Sequence, residues 1–366
     1  MEIPSKKIGT INYLPLRWKT PHTHMLVTGG SGTGKTELLK GLIEQDYLNR
    51  HSVIVVEPSG FLARDCYSLS RGKALYCSLK TPLSLNPMAQ PYDPNQIVDN
   101  VAEAINQVIT TTSANLELTT RMKTILDEAI KYCLKRNRKS LISVRDRIAE
   151  LKQDTTKEGL LARLNHLLAD ERMKEILCGP QSIEWGRLIA QGRSLILDCF
   201  GMGREKMVFA GTLISAGIKN YFRYERPETY EPVSLYLDEC HNFLSANMFD
   251  ILKEGRKFKI SCVMATQDFS LISERLVKVL LNLGTLVSFR VGHEVASKMA
   301  REMGMTADVL QFMQKYHFAY LSQGERGIAK APRPLFVRKV LVHKPELKKK
   351  AKGNWFHLEP LGSSVE

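Results

Sequence analysis

The chain has 366 residues, 43% of them hydrophobic and 25% charged, an ordinary balance for a soluble globular protein with one large core or two smaller ones. No run of about 18 apolar residues is present and residues 1–7 lack an apolar segment, so neither a membrane span nor a secretory signal is expected. A net charge of +14 suits a polyanionic partner, nucleic acid first and an anionic membrane surface second. Cysteines 66, 77, 133, 178, 199, 240 and 262 form no Cys-x-x-Cys pair, which points to a reducing cytoplasm and away from a disulfide framework or structural zinc.

In chain order, residues 1–24 offer only one short strand, at 8–14. The apolar run 24–28 reads as a buried strand, and 37–43 has helical spacing. Between them stand Gly29, Gly30, Ser31, Gly32, Thr33, Gly34, Lys35 and Thr36, a Gly-x-x-x-x-Gly-Lys-Thr pattern in the context it needs. Its glycines let backbone N–H groups curl around a phosphate at a helix N-terminus. Lys35 then reaches the β- and γ-phosphates, and Thr36 offers a hydroxyl to Mg²⁺. ATP and Mg²⁺ are the expected cofactors.

A second strand is expected at 52–56, and Pro91-Tyr92-Asp93-Pro94 breaks the pattern. Helical periodicity fills 95–178. One stripe holds Met122, Ile125, Leu126, Ala129, Ile130, Cys133 and Leu134; a second holds Leu141, Val144, Ile148 and Leu151; a third holds Leu160, Leu161, Leu164, Leu167 and Leu168. Gly179-Pro180 closes this region. Strands return at 194–199, 233–238, 260–266, 286–291 and 318–321, most with helices between them, which predicts a mostly parallel sheet covered on both faces. The expected organisation is an α/β P-loop NTPase (RecA-like) domain whose N-terminal part is 1–94 and whose C-terminal part is 179–340. An all-helical insertion at 95–178 interrupts it, and a basic tail, 341–366, follows. The tail, with Lys348-Lys349-Lys350, reads first as a solvated end.

The strand at 233–238 ends in Asp238 and Glu239. Beside a phosphate loop, the first would hold Mg²⁺ and the second would orient and deprotonate an attacking water, a division that marks hydrolysis. Asp198, at the end of Leu195-Ile196-Leu197, competes for the metal role but has no second acid. Gly255-Arg256-Lys257 ends a helix, and the next strand leads into Gln267, a polar residue at a strand end where ligands sit in open α/β sheets. Arg256 has the chemistry of an arginine finger for a neighbouring subunit, and Gln267 that of a γ-phosphate reporter. Arg204, Lys206, Arg275 and Lys278 are candidate pore contacts, although each alone reads as ordinary surface charge.

The order phosphate loop, hydrophobic-Asp-Glu, Gly-Arg-Lys-x-x-x-Ser-x-x-x-Ala-Thr-Gln, then Gly284-Thr285-Leu286-Val287-Ser288-Phe289-Arg290-Val291-Gly292 resembles the FtsK/HerA superfamily of hexameric DNA pumps. The nearest likeness is to type IV coupling proteins of conjugation and the related secretion ATPases, over roughly residues 8–340. Leu85-Asn86-Pro87-Met88 and the helical insertion fit it too. The resemblance implies that Arg256 acts across a subunit interface and that Gln267 senses nucleotide. It also implies a hexameric homo-oligomer on sequence-independent DNA, with a membrane channel, relaxase or nuclease as partner. The chain departs from the group in lacking membrane-spanning helices, an N-terminal β-barrel and a C-terminal winged helix, and so reads as a bare motor. The expected function is an ATP-driven DNA translocase, cytoplasmic or held at a membrane by a partner. The alternatives are a type IV secretion ATPase exporting protein, a viral-type genome-packaging ATPase and a nucleotide-gated assembly scaffold.

Overall fold

A computed structural model describes residues 6–11, 14–18, 23–112, 117–152, 154–225 and 227–331. The basic tail lies outside them. The chain opens with strands β1 (Lys6–Ile11), β2 (Leu14–Trp18) and β3 (Met25–Thr28), then α1 (Lys35–Leu48), β4 (Ser52–Glu57), α2 (Phe61–Leu69) and β5 (Leu75–Cys77). Helices follow: α3 (Pro94–Thr112), α4 (Thr120–Lys135), α5 (Leu141–Ala149), α6 (Thr155–Leu167), α7 (Glu171–Cys178) and α8 (Trp185–Ala190). Alternation then resumes with β6 (Leu195–Asp198), α9 (Arg204–Asn220), β7 (Val233–Leu237), α10 (Ala246–Glu254), β8 (Ile260–Thr266) and α11 (Glu274–Leu281). The described chain ends with β9 (Thr285–Ser288), α12 (His293–Met303), α13 (Ala307–Gln311), β10 (His317–Ser322) and β11 (Glu325–Lys330).

The eleven strands of the described residues form one sheet, in the order β2-β1-β11-β10-β9-β3-β8-β7-β4-β6-β5. From β9 to β5 the pairing is parallel, and from β9 out to β2 it is antiparallel. The expected parallel α/β sheet is therefore present, with an antiparallel extension the sequence did not suggest. The single strand anticipated at 8–14 is instead the hairpin of β1 and β2.

Central strands β3, β4, β7 and β8 are buried along their whole length. Their side chains alternate between two cores, as the pleat requires. Met25, Val27, Val53, Val55, Tyr236, Val263 and Ala265 face α1, α2 and the N-terminal hairpin. Leu26, Ile54, Val56, Leu235, Leu237, Cys262 and Met264 face a larger cluster that continues through α9 into the helices between β5 and β6. The three stripes read from the sequence supply its buried residues: Leu126, Ile130 and Cys133 on α4, Leu141, Val144 and Ile148 on α5, and Leu160, Leu164 and Leu167 on α6. These helices start where a short polar side chain accepts an otherwise orphaned N–H. Thr119, Ser140, Asp154 and Asp170 accept from Met122, Ile142, Thr156 and Arg172. Pro94 opens α3, where its missing N–H costs nothing. Among the described residues no helix is long and apolar enough to cross a membrane.

The N-terminal hairpin is fastened by a buried charge cluster. Lys6 Nζ lies 2.6 Å from Asp46 Oδ1, and His51 Nδ1 lies 2.9 Å from the same oxygen. Tyr236 donates its hydroxyl to Asp46 Oδ2 at 2.5 Å, and Lys6 also donates to Ser234 Oγ. Burial pushes the Asp46 carboxyl up, but Lys6 and His51 outweigh it and hold the group down at about 2. Its folded pKa thus lies below the unfolded value near ~3.9, so its contribution is present above that value and is lost as pH falls toward about 2. Asp46→Asn strips a buried ammonium of its partner and is expected to cost ~3–5 kcal/mol, read by urea unfolding at neutral pH. The double variant Lys6→Met with Asp46→Leu should recover most of that loss. A single variant that unfolds at the wild-type midpoint would show that the cluster contributes nothing.

Candidate functional site

The phosphate loop leaves the sheet between β3 and α1, at the carboxyl edge of the parallel strands. It is anchored on both sides. Gly29 N–H donates to Thr266 O (3.3 Å), Gly30 N–H to Arg290 O (2.8 Å), and the Tyr316 N–H to Thr33 O (2.9 Å). Gly32 and Gly34 have φ of +69° and +126°, and a Cβ on Gly29 would meet Phe289 Cβ and Thr33 Oγ1 at 2.8 Å. Glycine is thus required for both backbone angle and space.

Lys35 is buried, with Nζ donating to Gly29 O (2.5 Å) and Gly30 O (3.3 Å). Burial lowers its pKa, against the opposing pull of Asp238 and Glu239. One cation is therefore folded onto the loop's own carbonyls and faces two carboxylates. The hydroxyl of Thr36 with the carboxylate of Asp238 is a hard-oxygen set of the kind Mg²⁺ takes, so the residues present fit the ion.

Strand order sets Asp238 nearer the loop than Asp198. Asp238 follows β7, two strands from β3, about 10 Å in sheet spacing; Asp198 ends β6, four strands away, roughly 19 Å. Asp198 is moreover occupied, accepting from the Tyr76 hydroxyl (2.6 Å) and the Phe200 N–H (3.0 Å). Asp238 is pushed up to about 6, first by burial, then by Glu239 and Glu57, with Lys35 pulling it back.

Glu239 takes the left-handed conformation, φ +48° and ψ +53°, which is strained for a residue with a side chain. The turn around it is over-determined. Asp238 N–H continues the ladder to Val56 O, Asp238 Oδ1 accepts the Glu239 N–H, and both the N–H and side-chain amide of Asn242 donate to Glu239 O. Its carboxylate is thereby turned toward β8, where Gln267 Nε2 donates to Glu239 Oε1. The two residues predicted separately are thus in direct contact.

Arg256 is placed differently. It lies exposed in the turn Gly255–Phe258 before β8, at the amino edge of the sheet, whereas Gln267 follows the carboxyl end of the same strand. The length of β8 separates them by roughly 20 Å, farther than a side chain reaches. Arg204 opens α9 and is exposed, and its charge bears on His241. Lys206 is drawn to Asp170 Oδ2 (3.4 Å). Arg275 and Lys278 are exposed on α11, just beyond Gln267.

Two site residues were missed. Glu57 ends β4 fully buried, accepting from Ser59 N–H (2.6 Å), Ser59 Oγ (2.5 Å) and Ala63 N–H (3.4 Å). A carboxylate closing the apolar run 53–56 was the available signal, the same one that marked Asp238. His241 lies two residues beyond Glu239, its Nδ1 3.6 Å from Glu239 Oε2, too long for a hydrogen bond. Burial is the main cause of its lowered pKa.

A phosphate loop on the central strand, with acids two strands away and a polar strand end between them, is the site of a P-loop NTPase. Residues 7–176 match the family described as the type IV secretion-system coupling protein DNA-binding domain. In structure, the chain is similar to the unbound bacterial conjugative coupling protein TrwB, with a TM-score of 0.68 and 16% identity over 90% of this chain and 89% of that one. TrwB with ADP and Mg²⁺ gives 0.67 and 16% over 91% and 89%, and VirB4 of Thermoanaerobacter pseudethanolicus 0.67 and 14% over 84% and 89%. At these identities the structural likeness establishes a common fold. No curated protein matches the chain in sequence. The partial family match and the shared fold both point the same way as the resemblance carried by the motifs.

Proposed function

We propose that the chain is a ring-forming ATPase that drives DNA through a central pore, in the manner of a conjugative coupling protein. The observation that carries this reading is the split site: loop, acids and Gln267 meet at one edge of the sheet, and Arg256 stands at the other. Such a site is complete only when a second copy supplies its arginine.

In this reading ATP lies on residues 29–36. Lys35 leaves the Gly29 and Gly30 carbonyls for the β- and γ-phosphates, and Thr36 and Asp238 hold the metal. Bound Mg²⁺ neutralises charge developing on the phosphate oxygens. Glu239 takes the proton of the attacking water. The Gln267 amide, now held by Glu239, would face the γ-phosphate, and its release would shift the segment leading to α11 with Arg275 and Lys278. Residues 1–94 and 179–340 then make the ATPase domain, with 95–178 as a helical insertion. The family match over residues 7–176 supports DNA as the substrate. The protein would work in the cytoplasm, reaching a membrane through a channel partner.

The test is the ATPase rate with and without single- and double-stranded DNA across a salt series. DNA should stimulate turnover with little sequence preference. The log–log salt slope should be several units, at roughly −0.9 per duplex phosphate or −0.7 per single-strand phosphate neutralised. A rate indifferent to every DNA, in confirmed rings, would overturn the proposal. Stimulation by a protein partner alone would favour a secretion ATPase, and tight nucleotide binding with negligible turnover a scaffold.

A further inference from the structure

Tyr316 occupies a place that packing alone does not explain. Its φ is +63°, in the left-handed region that glycine or asparagine adopts with less strain, yet it is an aromatic residue left 43% exposed. The backbone is held firmly there. Its N–H donates to Thr33 O of the phosphate loop (2.9 Å), and its carbonyl accepts the Ala331 N–H (2.8 Å). The ring itself leans on the loop: a Cβ built on Gly34 would stand 3.1 Å from Tyr316 Cδ1 and 2.9 Å from Phe289 Cε1. Phe289 is fully buried and backs the arrangement from within. Lys315 Nζ stands 5.1 Å from the centroid of the Tyr316 ring.

The result is a flat apolar surface with a cation at its rim, locked to the phosphate loop by a backbone hydrogen bond and set at the start of β10. A core aromatic would be covered, and a residue chosen only for its backbone would be smaller. What remains is a ring presented to solvent next to the place where phosphates are bound. A nucleoside triphosphate whose phosphates occupy the loop projects a base with a π-face that water solvates poorly. We infer that Tyr316 is the stacking platform for the base of the nucleotide, with Lys315 adding its charge at the edge. This inference rests on the phosphate-loop reading above and names the part of the ligand that reading leaves unassigned. Because every base has a π-face, such a platform binds adenine and guanine nucleotides alike and sets affinity without choosing between them.

The test compares ATP, GTP and inorganic tripolyphosphate, each with Mg²⁺, by calorimetric titration of the full chain carrying Tyr316→Ala, Tyr316→Asn or Tyr316→Phe. Asparagine removes the ring while tolerating the left-handed backbone, so it covers the case in which the alanine variant misfolds. Loss of the ring should weaken ATP and GTP by the same factor, roughly fivefold to a hundredfold, and leave tripolyphosphate unchanged. Tyr316→Phe should bind all three as the wild type does. Equal weakening of tripolyphosphate would overturn the inference, because Tyr316 would then act by holding the loop. Unchanged ATP and GTP affinity in the asparagine variant would overturn it as well. A wild-type chain that binds none of the three overturns the phosphate-loop reading itself, a distinguishable failure.

Discussion

Arg256→Ala is expected to lower ATP turnover by about 10³–10⁵-fold while each subunit still binds nucleotide, because a trans arginine supplies that much of the rate by neutralising transition-state charge. The geometry of β8 is the reason to expect action in trans. The strand is buried at every position from Ile260 to Thr266, so it is a rigid spacer that keeps Arg256 at one edge and Gln267 at the other. Mixing gives the decisive experiment. Glu239→Gln keeps shape and hydrogen bonding but has no carboxylate to take a proton, so it too should be inactive. Rings mixed from the two dead variants contain some interfaces that pair an intact Glu239 with an intact Arg256, and activity should partly return. If mixed rings form and remain dead, Arg256 is not the finger. Arg290, exposed beside the loop and holding Gly30 through its carbonyl, would then be the better candidate.

Lys35→Ala should remove at least about 10²–10³ in turnover, the loss seen when one preorganised donor to developing charge is deleted, and should weaken nucleotide binding at the same time. Lys35 is the cation folded into the loop, within hydrogen-bond reach of the Gly29 and Gly30 carbonyls and facing Asp238 and Glu239. Without it, Asp238 also loses the charge that restrains its upward shift. Turnover and nucleotide affinity are both measured, with thermal unfolding as a check that the loop still folds. Wild-type turnover in this variant would remove the site assignment.

The chemistry of the site was legible because its parts are local. Eight consecutive residues between a buried strand and a helix specify the phosphate loop, since φ above zero at Gly32 and Gly34 and the crowding at Gly29 admit no other residue type. The pair Asp238 and Glu239 closes a buried apolar run, and apolar runs of that length identify strands. The helical stripes on α4, α5 and α6 were legible for a similar reason, as a 3.6-residue period survives in the sequence wherever one helix face is buried. Short or half-solvated strands leave no such trace. β5 has three residues, and β11 is exposed at Glu325, Arg326, Ile328 and Lys330 and buried at Ala329 alone, so neither stood out from loop.

Everything that depends on which strand lies beside which was decided by the tertiary structure. Asp198 and Asp238 look alike as strand ends, and only the order β3-β8-β7-β4-β6 sets one near the loop and the other beyond reach. Glu57 joins the site because β4 pairs with β7, and Gln267 meets Glu239 because β8 lies between β3 and β7. Tyr316 reaches the phosphate loop across nearly three hundred residues because β10 pairs with β9, and β9 with β3. Lys6 finds Asp46 because β1 packs against α1. Backbone hydrogen bonds between strands are indifferent to side-chain identity, so they leave no periodic mark on the sequence, although they decide which functional groups meet.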